Sequence, residues 1–362
     1  TGSAGRRYAK AAPVGESLWE LSFGVQDLRT KARAAQSQLV DLDSNKVTAT
    51  VSVDAATAVA YAAKILKEQL SIFINFEDFK TPDVLYAFKG GDEAPDALRS
   101  LPKRFNAEGV TVVQNMAKSK DGTEVPYFLV KPANAPANGS MPTLLYGYGG
   151  FEISLKPNYS ATIGKLWLER GGAYAVANIR GGGEFGPRWH KAALKTKRQR
   201  AYDDFISVAE DLIKRGITSP KHLGISGGSN GGLLVGAIFT QRPDLLNAVV
   251  CRVPLLDMLR YTKLLAGASW AAEYGDPDDL EMRKAIVQYS PYQNVFPDRE
   301  YPKVFIETST KDDRVHPGHA RKMVARMRKQ GHEVLYYENT EGGHSAGANL
   351  KQHAKRYALE YV

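Results

Sequence analysis

The rhythm of apolar and polar positions changes near residue 110. Downstream, short runs that are apolar on both faces alternate with stretches whose apolar residues recur every three to four positions. The first kind fits strands buried inside a parallel sheet, the second amphipathic helices that cover it. The strand-like runs are 143–146, 173–179, 222–225, 248–253, 303–307 and 333–337, and the helical patterns are 202–215, 231–240, 317–329 and 350–361. Residues 110–113 and 125–130 are β-type runs flanking Lys120-Asp121-Gly122, which predicts a hairpin. The alternation predicts an α/β fold, with a mostly parallel sheet and helices on both faces.

The preceding stretch lacks this alternation. Residues 27–39 and the Ala-rich 55–70 read as helices, 70–75 and 83–88 as strands, and 95–102, with a proline at each end, as a linker. A domain boundary near residue 103 follows, with a mixed helix-and-strand segment at 1–102 and an α/β domain at 103–362.

Composition narrows the class. Hydrophobic residues make up 43% of the 362 and charged residues 24%, ordinary for a globular protein. No apolar run reaches bilayer-spanning length, so no membrane role is expected. The N-terminus lacks the basic, apolar and small-residue order of a signal peptide, and without an initiator Met the sequence reads as a processed or partial chain. Cys251 is the only cysteine, which excludes an internal disulfide and a thiolate metal cluster. That fits a cytoplasmic protein and equally a disulfide-free periplasmic one. The net charge of +9 is concentrated partly in 191–200 and 321–329. The second stretch falls on a helical pattern and reads as a solvated face. Neither stretch interleaves exposed aromatics as a nucleic-acid surface would, so no nucleic-acid partner is expected. Oligomeric state is not legible.

The candidate chemistry centres on Gly227-Gly228-Ser229-Asn230-Gly231, which follows one strand-like run and opens a helical pattern. Such a Gly-x-Ser-x-Gly turn lifts a serine hydroxyl out at the carboxyl end of a sheet, with the N–H after the serine, here that of Asn230, facing a developing oxyanion. The hydroxyl needs a base. In this arrangement chain order runs serine, acid, histidine. Among His316, His319, His332, His344 and His353, only His344 follows a strand in a loop, Glu341-Gly342-Gly343-His344, at the carboxyl edge beside Ser229. The acid belongs after the run 303–307, where Asp312 and Asp313 are both placed to serve, and spacing does not choose between them. His316 and His319 lack a third ligand nearby, so no metal is expected. Gly181-Gly182-Gly183 lacks the Lys-Ser/Thr ending of a phosphate loop and reads as a loop that needs small residues.

From about Val110 to the C-terminus the sequence resembles the prolyl oligopeptidase family of serine peptidases. The resemblance rests on Tyr146-Gly147-Tyr148-Gly149-Gly150-Phe151, Asn178-Ile179-Arg180-Gly181-Gly182-Gly183-Glu184, Gly227-Gly228-Ser229-Asn230-Gly231-Gly232 and Asp312-Asp313-Arg314-Val315. It implies an α/β-hydrolase fold and a Ser229, Asp312, His344 triad. It also implies an oxyanion site made by the Tyr148 hydroxyl and the Asn230 N–H. A proline pocket walled by Phe151, Leu255, Trp270, Tyr274 and Val315 is implied too, with Arg314 hydrogen-bonding a substrate carbonyl. The implied activity is cofactor-free hydrolysis of short peptides after proline through an acyl-enzyme. An isopeptidase, acyl-peptide hydrolase or esterase of the same fold would share that chemistry, and an inert interaction domain would not keep all three catalytic side chains. The family carries a seven-bladed propeller, which at about 40–50 residues per blade needs roughly 300 residues. Residues 1–102 supply far fewer, so 70–89 are expected to be at most a propeller remnant.

Overall fold

The computed structural model describes residues 73–88, 94–345 and 347–361 in full, together with the backbone of a few earlier strands. The chain divides into two compact units, Thr1–Gln114 with Lys156–Lys165, and Asn115–Leu155 with Leu166–Val362.

The first unit holds a seven-stranded sheet. Its strands are β1 (Tyr8–Pro13), β2 (Trp19–Phe23), β3 (Leu39–Val40), β4 (Val47–Val51), β5 (Ile72–Phe76), β6 (Val84–Phe88) and β7 (Asp96–Ser100), ordered β3-β4-β2-β1-β5-β6-β7. The pairs are antiparallel except β1 with β5. The expected strands at 70–75 and 83–88 correspond to β5 and β6. The helical readings at 27–39 and 55–70 fall, apart from Leu39, outside the described residues. The reading of 95–102 as a linker is corrected, because Asp96–Ser100 pairs antiparallel with β6. β7 is an edge strand whose five side chains are all exposed. It therefore carries neither the apolar alternation nor the burial that marks a strand in sequence, and its flanking prolines suit an edge.

The second sheet has eight strands. They are β8 (Val110–Lys118), β9 (Glu124–Pro132), β10 (Thr143–Gly147), β11 (Ala173–Ala177), β12 (Leu223–Gly228), β13 (Ala248–Arg252), β14 (Lys303–Ser309) and β15 (Leu335–Asn339). Their order is β8-β9-β11-β10-β12-β13-β14-β15. From β11 to β15 every neighbouring pair is parallel, while β9 runs antiparallel to β11. The hairpin expected around Gly122 joins β8 to β9, with Ser119 and Thr123 closing the turn. This is the α/β-hydrolase arrangement. The chain moves from β10 outward to β11 and then returns to the other side of β10 with β12, so the winding reverses there. Open α/β sheets bind ligands outside the carboxyl ends of strands at such a reversal. The ends of β10 and β12 carry Tyr148 and Ser229.

Two helices fix that region. Helix Asn230–Gln241 is buried from Asn230 through Thr240, and its apolar sequence suits a helix covered on all sides. Helix Gln199–Lys214 is amphipathic and buries Tyr202, Phe205, Val208 and Leu212. Both press on Gly147 at the end of β10. A methyl group there would stand 2.7 Å from the Phe205 ring and 2.9 Å from Leu234.

Helix Gly318–Lys329 exposes most of its basic residues and buries His319, Ala320, Met323, Val324 and Met327, as a solvated basic face requires. His319 is 1% exposed, and its Nδ1 accepts the Asp257 N–H at 3.0 Å. Burial lowers its pKa to about 4. A histidine held neutral in the folded state but free to protonate when unfolded stabilises the fold fully above pH 6.5. That stability is lost as pH falls toward 4, by about 3 kcal/mol. Urea titrations at pH 7 and pH 4 are expected to show this loss in the wild type and a clearly smaller one in His319→Asn. Equal losses would remove His319 from the account of acid sensitivity.

Candidate active site

Ser229 sits between β12 and helix Asn230–Gln241 with φ 58° and ψ −117°. A side chain at positive φ is strained, and such strain is held by its surroundings. Here the Ser229 N–H donates to the Arg252 carbonyl at 2.9 Å, and the Ser229 carbonyl accepts from Leu233 N at 3.1 Å. The flanking glycines are steric requirements. A Cβ on Gly227 would meet the Gly231 carbonyl at 2.2 Å, and one on Gly231 would meet the Gly147 carbonyl at 2.8 Å. The turn thus closes only with glycine at both places, and it points the half-buried serine to the carboxyl edge of the sheet.

Tyr148 follows β10. Its phenol lies beside the Ser229 side chain, and burial holds it above its ordinary pKa, with the Arg314 charge opposing in part. The phenol therefore keeps its proton near neutral pH and can donate. Asn230 is fully buried, and its Nδ2 donates to the Tyr148 carbonyl at 2.5 Å. As the first helical residue, Asn230 has a backbone N–H without an intrahelical acceptor.

His344 lies in the loop after β15. Its Nδ1 is 2.8 Å from Asp312 Oδ2 and 3.0 Å from Oδ1. Asp312 is buried, and its Oδ1 also accepts the N–H groups of Arg314 and Val315, each at 2.9 Å. Asp313 is exposed. Of the two carboxylates that spacing left open, Asp312 is the one brought to His344. The Ser309 hydroxyl donates to the Gly342 carbonyl and so ties the histidine loop to the end of β14.

Phe151 and Tyr274 pack edge to face with ring centroids 5.6 Å apart. The Tyr274 hydroxyl turns inward to Asn230 Oδ1 at 2.8 Å, and its buried ring carries the Arg198 guanidinium 5.3 Å from its centroid. Leu255 and Val315 are buried, Trp270 is half-buried at the end of the turn Leu265–Trp270, and Arg314 is exposed. His316 and His319 spend ring nitrogens on backbone, His316 Nδ1 accepting from Gly318 N at 2.9 Å. Among the described residues no group of three His, Cys, Asp or Glu could hold a metal. The glycine triplet meets its expectation of a loop needing small residues. A Cβ on Gly181 would strike the Gly149 carbonyl at 2.4 Å, and one on Gly183 the Glu152 carbonyl at 2.2 Å. No helix among the described residues is long and apolar enough to cross a membrane.

Sequence reasoning missed Arg198 and Glu273. Both are buried, and Arg198 Nη1 lies 3.1 Å from Glu273 Oε1. Arg198 stands in a basic run and gave no signal apart from its neighbours.

Comparison with known proteins shows what the chain is similar to. The chain is 57% identical over 295 residues to an uncharacterized peptidase of Sinorhizobium fredii, covering 82% of this chain and 41% of that one. It is 40% identical over 290 residues to a prolyl endopeptidase of Elizabethkingia miricola, covering 79% and 41%. A post-proline cleaving enzyme from Rickettsia typhi superposes with a TM-score of 0.77 at 32% identity, over 100% of this chain and 52% of that one. The chain therefore spans about two-fifths to half the length of these relatives. The sequence model of the prolyl oligopeptidase family matches residues 157–362, more than half of the chain, and with these likenesses it establishes that the chain belongs to that family.

Proposed function

We propose that this chain carries the catalytic apparatus of a serine peptidase that hydrolyses short peptides on the carboxyl side of proline. The reading is carried by what the carboxyl edge of the sheet presents: a strained serine with a phenol beside it and, in the loop after β15, a histidine paired with a buried carboxylate. Ser229 Oγ attacks the peptide carbonyl while His344 Nε2 takes its proton. Asp312 accepts the Nδ1–H, fixes the tautomer and stabilises the imidazolium. The Asn230 N–H and Tyr148 O–H hold the oxyanion. His344 then gives the proton to the leaving amine, and water cleaves the resulting ester by the same route in reverse. No cofactor enters.

The ring of a substrate proline is compact and apolar. Phe151, Leu255, Tyr274 and Val315 would enclose it, the indole of Trp270 would offer a flat face, and Arg314 would hold a carbonyl nearer the substrate's N-terminus. Relatives named prolyl endopeptidase support this choice of substrate. Residues 103–362 form the catalytic domain in this reading, and 1–102 a separate segment whose antiparallel strands β5, β6 and β7 suit a propeller blade.

Chromogenic peptides differing only in proline or alanine before the scissile bond test the substrate. A pocket shaped to the ring is expected to favour proline by well over about tenfold in kcat/KM. Comparable rates would leave a serine hydrolase of another specificity.

A further inference from the structure

The network behind the catalytic edge joins the elements of this reading into one unit. Phe151 sits at φ 56° and the next residue, Glu152, at φ 57°, an unfavourable pair for side-chain-bearing residues. The Phe151 N–H is held by Glu273 Oε1 at 2.9 Å. The same oxygen accepts Arg198 Nη1, while Arg198 Nη2 reaches Asn230 Oδ1 at 2.7 Å. That Asn230 oxygen takes the Tyr274 hydroxyl, and the Asn230 amide nitrogen holds the Tyr148 carbonyl. The other Glu273 oxygen is fixed by His190 Nε2 at 2.7 Å. Gly150 makes room for this, since a Cβ there would stand 2.6 Å from Asn230 Nδ2. A buried ion pair is often replaceable by apolar side chains without loss of stability. This pair instead makes directional contacts with both walls of the pocket and with the residue after the nucleophile.

We propose that Arg198 and Glu273 are positioning residues. By bridging Phe151 to Asn230 they set the placement of the Tyr148 hydroxyl and of the Phe151–Tyr274 wall together, so that oxyanion stabilisation and proline preference depend on one buried pair. The second part rests on the post-proline reading above. The first requires only that Ser229 be the nucleophile.

The charge-neutral double variant Arg198→Met/Glu273→Leu tests this without leaving a charge unpaired. It is expected to unfold cooperatively yet react with a fluorophosphonate at least about tenfold more slowly than wild type, because a small misplacement of donors slows the chemical step. Its preference for proline over alanine is expected to fall at least about fivefold, since a loosened wall discriminates less. If the double variant fails to fold, Arg198→Lys carries the same test. A lysine keeps the charge but lacks the two-nitrogen fork that spans Glu273 and Asn230. A folded double variant, or a folded Arg198→Lys, with wild-type labelling and wild-type preference overturns the proposal. If wild type itself shows no proline preference, the substrate reading fails alone, and the labelling rate still decides the positioning role.

Discussion

Ser229→Ala is expected to lower kcat by about a million-fold and to abolish fluorophosphonate labelling, because the atom that forms the acyl-enzyme is gone while binding and the oxyanion donors remain. Ser229→Gly is expected to be equally inactive but more stable than Ser229→Ala. The backbone at φ 58° and ψ −117° is strained for any residue with a Cβ, at about 1–3 kcal/mol. Glycine relieves that strain but enters with a more flexible unfolded chain, which offsets about 0.5–1 kcal/mol. The remainder, about 1 kcal/mol, should raise Tm by about 2–4 °C for a domain of this size. Labelling of Ser229→Ala at the wild-type rate would place the nucleophile elsewhere. A Ser229→Gly protein that melts below Ser229→Ala would show that the elbow stores no strain.

What could be read from sequence divides along a physical line. Gly227 and Gly231 are legible because contacts within and beside the turn forbid a Cβ. The strands β10 to β14 are legible because their burial demands largely apolar runs, although β12 continues past residue 225 to Gly228 and β14 to Ser309, whereas the expected run 333–337 starts two residues before the edge strand β15, whose first residue is exposed. His344 is legible from chain order and its loop. Spacing does not choose Asp312 over Asp313, because adjacent carboxylates in one turn differ only in which way the turn buries them, and that choice comes from the family resemblance. Arg198 is hidden for a related reason. In a basic run the surface reading is right for most residues. The partner that makes burial tolerable, Glu273, is 75 positions away. Short helices such as Pro187–Lys191 and Leu280–Tyr289 escaped notice because few of their residues are buried and the apolar period has little length in which to show. Edge strand β7 escaped because nothing on it is buried at all.

Asp312→Asn is expected to cut kcat by about ten-thousand-fold near neutral pH while leaving the fold intact, the size of effect that a wrong imidazole tautomer produces in a catalytic triad. The orientation of the new amide follows from its neighbours. Two backbone donors, Arg314 N and Val315 N, converge on Oδ1, so the asparagine carbonyl must stay there. Its NH2 then replaces Oδ2, the atom 2.8 Å from His344 Nδ1, and donates to that nitrogen. The imidazole proton is driven onto Nε2, which can no longer accept the Ser229 proton. Because both backbone bonds survive, the loss should appear in kcat and in labelling rate, with Tm moved by only a few degrees. Asp313→Asn, at an exposed carboxylate, is the matched control and should remain within about twofold, as surface substitutions generally do. If instead Asp313→Asn were the crippled variant, the acid would be misassigned. If neither mattered, His344 would have to be oriented by something other than a carboxylate. The pair also separates chemistry from packing, since the two variants alter neighbouring residues of one turn by the same atoms and differ only in which carboxylate meets the histidine.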